Sequence, residues 1–219
     1  MVAASFSHVD TWVFDLDNTL YPPATRLFDQ IDARMTEVVM RVTGTDRARA
    51  DQLRKQYWLE YGTTLAGLMT HHGVDPVPFL IEVHEIDFSG LTADPALRDA
   101  IARLPGRRIV YTNGSAPYAR RVIERRGFDG LFDAVYGVEN AGYHPKPQPQ
   151  AFATVFAADG LDPACAAMFE DDPRNLRVPH ELGMRTVHVA PAPLPAADAV
   201  HIHHHTDDLG AFLSRCHSS

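Results

Sequence analysis

Short apolar runs alternate along the chain with longer segments that have helical spacing. The first run, residues 12–14, is Trp-Val-Phe, a mixture of aromatic and β-branched residues that is typical of a buried strand. Because strands that alternate with helices are joined by right-handed crossovers, this order predicts an α/β fold with a mainly parallel sheet. Further strands are predicted at 108–114, 134–138, 166–169 and 186–189 and near Val200, and the helices between them at 97–104, 119–126, 150–158 and 175–182.

The segment between the first two predicted strands has helical character throughout. Apolar residues recur at three- and four-residue steps from Leu27 onward, after Pro22-Pro23, and Gly44 ends this first helix. The sequence thus predicts a helical insertion at 22–91 and a core formed by residues 1–21 and 92–219. Further helices of the insertion are predicted at 46–61, with Leu53, Tyr57 and Trp58 on the inner face, at 65–72 and at 79–84.

Polar groups follow several of the predicted strands. In an open parallel sheet, ligands bind just beyond the carboxyl ends of the strands. Two neighbouring carboxylates there are costly unless they are paired or bound to a metal, and a cation with hard oxygen ligands, such as Mg²⁺, would offset that cost. Each feature alone also fits an ordinary turn or a solvated side chain. The residues are Asp15 and Asp17, Thr112 and Asn113, Lys146 in the loop after the third strand, and Glu170 and Asp171.

Composition and charge narrow the classes of protein to which the chain could belong. With 219 residues, 45% hydrophobic, the chain can form one large domain or a core with a smaller insertion. A net charge of −8 argues against a nucleic-acid-binding surface, and no segment is apolar for long enough to span a membrane. Two cysteines are too few for a disulfide framework, and no signal peptide is evident near Met1. A cytoplasmic location is therefore expected.

The polar groups occur in the order found in the haloacid dehalogenase-like superfamily of aspartate-nucleophile phosphatases, which the chain resembles over nearly its whole length. Asp-Leu-Asp-Asn-Thr-Leu at 15–20 resembles the first motif of that superfamily, Thr112 the second, Lys146 the third and Glu170-Asp171 the fourth. The resemblance implies a Rossmann-like core with a helical cap. Segments 17–22, 61–65 and 84–87 are similar to the pyrimidine 5′-nucleotidase group, whose cap lies between the first two motifs.

The resemblance implies a role for each motif residue. Asp15 would attack phosphorus to give an aspartyl-phosphate, and Asp17 would protonate the leaving oxygen and later deprotonate water. Mg²⁺ would be bound by the Asp15 carboxylate, the Asp17 main-chain carbonyl and Asp171, with Glu170 holding metal-bound waters. The phosphate oxygens would be held by Thr112, Asn113 and Gly114, and their charge offset by Lys146.

Asp17 distinguishes two chemistries within the superfamily. Dehalogenases keep the nucleophile but lack the aspartate two residues later, so its presence favours phosphate ester hydrolysis. The expected substrate is a small phosphorylated metabolite, foremost a pyrimidine nucleoside 5′-monophosphate. A sugar phosphate or phosphoglycolate, or a non-catalytic module that binds a phosphorylated ligand, are the alternatives. The chain could be a monomer or a homodimer.

Several other residues have two interpretations. Five residues are candidates for the cap side of the substrate pocket, but packing within the cap or helix capping fits each of them as well. These cap-side candidates are Tyr21, Tyr61, Thr63, Thr64 and His84. Arg174 and Asn175 could orient the acidic loop. A solvated helix face is expected for Arg120, Arg121, Arg125 and Arg126. A surface strand is favoured over a metal site for His201, His203, His204 and His205.

Overall fold

A computed structural model of the chain describes residues 2–216. Six parallel strands form one sheet in the order β3-β2-β1-β4-β5-β6, which confirms the predicted α/β fold. The strand order changes direction beside β1, and such a switch point is where open α/β sheets bind ligands. The strands are β1 (Thr11–Phe14), β2 (Arg107–Tyr111), β3 (Ala134–Tyr136), β4 (Ala166–Glu170), β5 (Arg185–Val189) and β6 (His204–Thr206).

The register of β1 brings three strand ends together. Phe14 is paired with Val110 of β2 on one side and with Phe169 of β4 on the other. Alternate residues of β1 face opposite layers, with Trp12 and Phe14 in one core cluster and Val13 in the other. Since every residue of β1 is buried, the residues that follow it start from a fixed position in the middle of the sheet.

Ten α-helices of five or more residues occur within residues 2–216. Five of them, α2 to α6, lie between β1 and β2. The first four of these lie in segment 22–91, which contains no strand. No helix among residues 2–216 has the length and apolarity needed to cross a bilayer. The helices are α1 (Val2–Phe6), α2 (Leu27–Thr43), α3 (Arg47–Tyr61), α4 (Thr64–His72), α5 (Pro76–Val83), α6 (Pro95–Ala102), α7 (Ala116–Arg125), α8 (Pro149–Asp159), α9 (Arg177–Glu181) and α10 (Leu209–Cys216).

A glycine sets the close packing of α3 against α4. A Cβ atom added at Gly67 would lie 2.3 Å from Cγ of Tyr57. The missing side chain therefore lets the Tyr57 ring lie directly on the backbone of α4. Both helices line the cavity described below, so this contact fixes part of its wall.

Several predicted boundaries and environments differ from the structure. The last strand is β6, not a strand near Val200, because His204 is the residue that pairs with Val187 of β5. Val200 itself is 78% exposed in a turn. The first helix of segment 22–91 begins at Leu27, after Arg26 adopts a left-handed conformation with φ of 53°. Trp58, expected on an inner face, is 44% exposed and lies 3.5 Å from the Arg174 guanidinium.

The prediction of a solvated arginine face is wrong for Arg126. Its side chain is buried because the guanidinium donates to the Leu20 and Thr92 carbonyls and pairs with Asp94 at 2.7 Å. It thus ties the chain after β1 to the start of α6. Arg120, Arg121 and Arg125 are exposed as expected, and the Arg121 guanidinium lies 4.3 Å from the centroid of the Phe88 ring.

The histidine-rich segment is neither a regular surface strand nor a metal cluster. Only residues 204–206 are in a strand, so the expected alternation does not hold. His201 is buried against the Pro173 carbonyl, while His203 contacts Thr186 and His205 contacts the Ala190 carbonyl. Within residues 2–216, the group of side chains suited to a metal ion lies elsewhere and contains no histidine.

Candidate active site

The polar residues at the strand ends line a single cavity of about 570 Å³. Asp15 follows β1, and its backbone N–H donates to the Phe169 carbonyl of β4 at 2.9 Å. Since parallel strands end at the same edge of the sheet, β1, β2 and β4 deliver their acids and hydroxyls to one place. The predicted core residues on its wall are Asp15, Asp17, Thr112, Asn113, Gly114, Lys146, Glu170 and Asp171.

Lys146 is fully buried beneath this cavity. Its ammonium donates to Asp15 Oδ1 at 2.8 Å, Glu170 Oε2 at 2.6 Å and the Tyr111 carbonyl at 2.9 Å, which uses all three N–H donors. Burial lowers the pKa of Lys146, but the charges of Asp15 and Glu170 outweigh it and raise that pKa above its ordinary value. Lys146 therefore remains a fixed positive charge beside the Asp15 carboxylate.

The Lys146 loop is held in place by Asn113. The Asn113 amide accepts from the Lys146 backbone N–H at 2.8 Å and donates to the Lys146 carbonyl at 3.0 Å. Its side chain thus binds the loop, although the residue also lines the cavity. Thr112 is buried and accepts from the Gly114 N–H at 2.9 Å, so its hydroxyl position is fixed as well.

Asp17 is held by two tyrosines. Tyr21 and Tyr118 both donate their hydroxyl protons to Asp17 Oδ1, at 2.5 and 2.6 Å, and both rings are buried. Burial and the nearby charge of Asp15 raise the pKa of Asp17 to about 6, against the lowering effect of the tyrosine donors. The two aspartates of the first motif therefore have different partners, an ammonium ion for Asp15 and two phenols for Asp17.

Three carboxylates at this edge form the group that could hold a metal ion. Ligand oxygens of Asp15, Glu170 and Asp171 lie within 4.8 Å of one another. Burial raises the pKa of each of them above its ordinary value, to about 7 for Asp171. A divalent cation would stabilise the ionised form of these clustered carboxylates, and a donor set made only of oxygens suits Mg²⁺.

Glu170 and Asp171 differ in the number of hydrogen bonds that their carboxylates accept from the protein. Glu170 accepts from Lys146 through one oxygen and from Asn175 and the Asp172 N–H through the other. Asp171 accepts from Asn18 at 3.1 Å. Asp171 is thus the better placed of the two to bind a metal directly, and Glu170 fixes Lys146. The Asp17 carbonyl as a further ligand stays a prediction.

The cap-side candidates divide into two groups. Thr63, Thr64 and His84 line the cavity, but neither Tyr21 nor Tyr61 does. The Tyr21 hydroxyl is directed to Asp17 instead, and that of Tyr61 binds His71 at 2.6 Å. Substrate contact by Tyr21 and Tyr61 therefore stays a prediction.

His84 connects the helical segment to the core. It is buried, hydrogen-bonds to Ser115 at 3.1 Å and stacks on Tyr118 with 4.2 Å between ring centroids. Burial lowers the pKa of His84 to about 4, so the ring is neutral. It therefore supports the ring of Tyr118, one of the two donors to Asp17.

Arg174 and Asn175 both contact the acidic loop, as the sequence suggested. Asn175 donates to Glu170 at 3.1 Å, and Arg174 forms hydrogen bonds to both carboxylate oxygens of Asp172. The Arg174 guanidinium also covers the Trp58 ring and so joins this loop to α3.

Sequence reasoning missed two residues of the site. Asn18 donates to Asp171, and Tyr118 donates to Asp17 from a position 101 residues away in the chain. The helical spacing of α7 places Tyr118 on the same buried face as Val122, which is a signal of burial. Nothing in that spacing indicates which carboxylate its hydroxyl would reach.

Known proteins resemble this chain in sequence and in fold. Phosphate metabolism protein 8 of Saccharomyces cerevisiae is 27% identical over an alignment of 191 residues that covers 78% of this chain and 58% of that protein. This chain therefore spans less than two thirds of the yeast relative.

Two solved structures share the fold at low identity. The magnesium-bound HAD-hydrolase YfnB of Bacillus subtilis matches with a TM-score of 0.63 and 14% identity, covering 96% of this chain and 99% of that one. CbbY of Rhodobacter sphaeroides, in complex with xylulose-1,5-bisphosphate, matches with a TM-score of 0.64 and 16% identity. This match covers 94% of this chain and 99% of the CbbY chain. The family model for haloacid dehalogenase-like hydrolases matches residues 9–183. The chain therefore belongs to the haloacid dehalogenase-like hydrolases.

Proposed function

We propose that this hydrolase is a magnesium-dependent phosphomonoesterase that acts through an aspartyl-phosphate. The observation that carries the proposal is that two aspartates of one cavity have different partners: Asp15 binds Lys146, and Asp17 binds two tyrosines. Asp171 lines the same cavity. A nucleophile and an acid/base group need such different surroundings to perform different roles at one pH. In this proposal, segment 22–91 is a cap over a core formed by the rest of the chain.

In the first step, an Asp15 carboxylate oxygen attacks phosphorus and the ester P–O bond breaks. The proton on Asp17 passes to the departing oxygen, so the product leaves as an alcohol. In the second step, Asp17 takes a proton from water, whose oxygen attacks phosphorus and releases Asp15 and inorganic phosphate. Because both tyrosines bind Oδ1, Oδ2 of Asp17 is the oxygen left to carry the proton.

Mg²⁺ would be held by Asp15 and Asp171, and it would supply positive charge between an anionic nucleophile and an anionic substrate. Lys146 adds a charge that cannot move, since its ammonium is bound on three sides. The Thr112 hydroxyl and the Asn113 backbone amide would hold the remaining phosphate oxygens, while the Gly114 N–H donates to Thr112 and fixes its hydroxyl. Contacts within the protein hold Lys146 and Thr112 in place, which reduces the reorganisation that the reaction requires.

The proposed substrate is a pyrimidine nucleoside 5′-monophosphate. Support comes from the resemblance of segments 17–22, 61–65 and 84–87 to pyrimidine 5′-nucleotidases and from an apolar cavity wall, formed by residues such as Phe28 and Phe79. A sugar phosphate is the second candidate, because CbbY, a protein of the same fold, is found in complex with xylulose-1,5-bisphosphate. The two free cysteines suit a reducing compartment, so we place the enzyme in the cytoplasm.

Phosphate release from a panel of phosphorylated metabolites, measured with Mg²⁺ present, tests this proposal. Preferential hydrolysis of UMP or CMP is the expected result, and preference for sugar phosphates would favour the second candidate. If the folded protein released no phosphate from any monoester, phosphatase activity would be excluded. The Asp15→Asn variant serves as the blank for contaminating phosphatases.

A further inference from the structure

A charged pair lies in the part of the cavity wall that helices α2 and α3 form. Asp32 of α2 and Arg54 of α3 both line the cavity and lie 2.6 Å apart, from Oδ1 to Nη1. Their side chains are 33% and 15% exposed, so water screens the pair only in part. Lys55 of α3 is a further charged residue of the cavity lining, and it is exposed. The other residues of this wall are mostly apolar: Phe28, Ile31, Met35, Leu65, Phe79, Leu80 and Val83.

The Arg54 side chain has N–H donors that form no hydrogen bond with the described residues. A guanidinium has five N–H donors, and the one bond found from the Arg54 side chain goes to Asp32. Arg54 Nε is buried and has no partner among the described residues. An ion pair in an apolar wall costs desolvation free energy, and an unpaired buried donor adds to that cost. A ligand that bonds to the exposed atoms of the pair would offset the desolvation cost of the ion pair, although the buried Nε itself is out of its reach.

The arrangement of charges selects the chemical class of that ligand. Arg54 offers donors and Asp32 an acceptor side by side, but their charges cancel. A second phosphate or a carboxylate on the substrate would meet the Asp32 anion as well as the arginine, which is unfavourable. A neutral group with a neighbouring acceptor and donor fits better, and an apolar wall favours a flat ring over a chain of hydroxyls.

We infer that Asp32 and Arg54 form a subsite that binds the polar edge of a nucleobase on the leaving group. In cytosine, the amino group can donate to Asp32 and the adjacent ring nitrogen or carbonyl can accept from Arg54; uracil offers N3–H and a neighbouring carbonyl. The inference rests on the proposed phosphomonoesterase function, since the phosphate must lie at Asp15 for the base to reach this wall.

Two variants, Arg54→Gln and Asp32→Asn, test the subsite through substrate selectivity. Because hydrogen bonds to charged groups are the strong ones, kcat/KM for CMP and UMP should fall by about 10- to 100-fold in each variant. Ribose 5-phosphate has the same phosphate and sugar but no base, so its kcat/KM should change little. Matched controls are Arg49→Gln on α3 and Asp29→Asn on α2, both exposed and outside the cavity.

Equal losses for nucleotides and ribose 5-phosphate would show that the pair only supports the cap, and would overturn the inference. A wild-type enzyme that preferred ribose 5-phosphate or a bisphosphate to CMP would overturn it too. Equilibrium binding of CMP to Asp15→Asn, with and without Arg54→Gln, separates this inference from the proposed function because it needs no turnover. Weaker binding in the double variant would support the subsite even if no monoester were hydrolysed, and unchanged binding would refute it.

Discussion

The Tyr118→Phe substitution tests whether the tyrosine contact to Asp17 matters for catalysis. It removes one hydroxyl and keeps the ring that stacks on His84. The lost bond is 2.6 Å long, partly buried, and made to a carboxylate, and hydrogen bonds to charged groups are worth about 1.5–3 kcal/mol. A change of 1.36 kcal/mol in the activation free energy changes the rate tenfold. If the whole bond energy is lost in the transition state, kcat/KM should therefore decrease about 10- to 100-fold.

The decrease should depend on the leaving group. An alkyl phosphate, such as a nucleotide, needs Asp17 to protonate its departing oxygen, whereas p-nitrophenolate leaves without a proton. kcat/KM reports the steps up to the first irreversible one, so it isolates phosphoryl transfer to Asp15. We therefore expect a large decrease for the nucleotide and a small one for p-nitrophenyl phosphate.

Tyr136→Phe is the matched control, since its hydroxyl also donates to an aspartate, Asp159, at 3.0 Å and outside the cavity. Urea unfolding of both variants would show whether a change in activity follows a change in stability. Equal decreases for the alkyl and aryl esters in Tyr118→Phe, or none for either, would refute the positioning role of Tyr118.

Three further predictions concern the motifs and the cap. Asp15→Asn should abolish turnover while circular dichroism stays unchanged, and substantial residual activity would exclude Asp15 as nucleophile. Asp171→Ala should raise the Mg²⁺ concentration needed for half-maximal activity at least about tenfold, as losses of metal contacts commonly do, and an unchanged titration would remove Asp171 from the ligands. His84 has its pKa lowered from 6.5 to about 4 by burial, so the unfolded chain binds more protons between these values and stability falls as pH falls. From pH 7 to pH 5 this amounts to about 2 kcal/mol, which urea unfolding of wild type and His84→Gln would measure; an equal pH dependence in both would contradict it.

Local patterns in the sequence were sufficient for the first five strands of the sheet and for the residues at its carboxyl edge, but they placed the sixth strand near Val200 instead of at 204–206. A run such as residues 12–14 is recognisable alone because burial on both faces demands apolar side chains at every position. Once strands and helices alternate, the parallel sheet follows, and with it the convergence of Asp15, Thr112 and Asp171 on one cavity. The motif order that identifies the hydrolase family is also a property of the linear sequence.

Only the tertiary structure decided which partner each of these groups has. The bonds from Tyr118 to Asp17 and from Arg126 to Leu20 span 101 and 106 residues, and no short-range pattern encodes such pairs. The same holds for Asp32 and Arg54, which become neighbours because α2 packs on α3. Periodicity determines which face of an element is buried, whereas the identity of a contact depends on how two distant elements are placed in space.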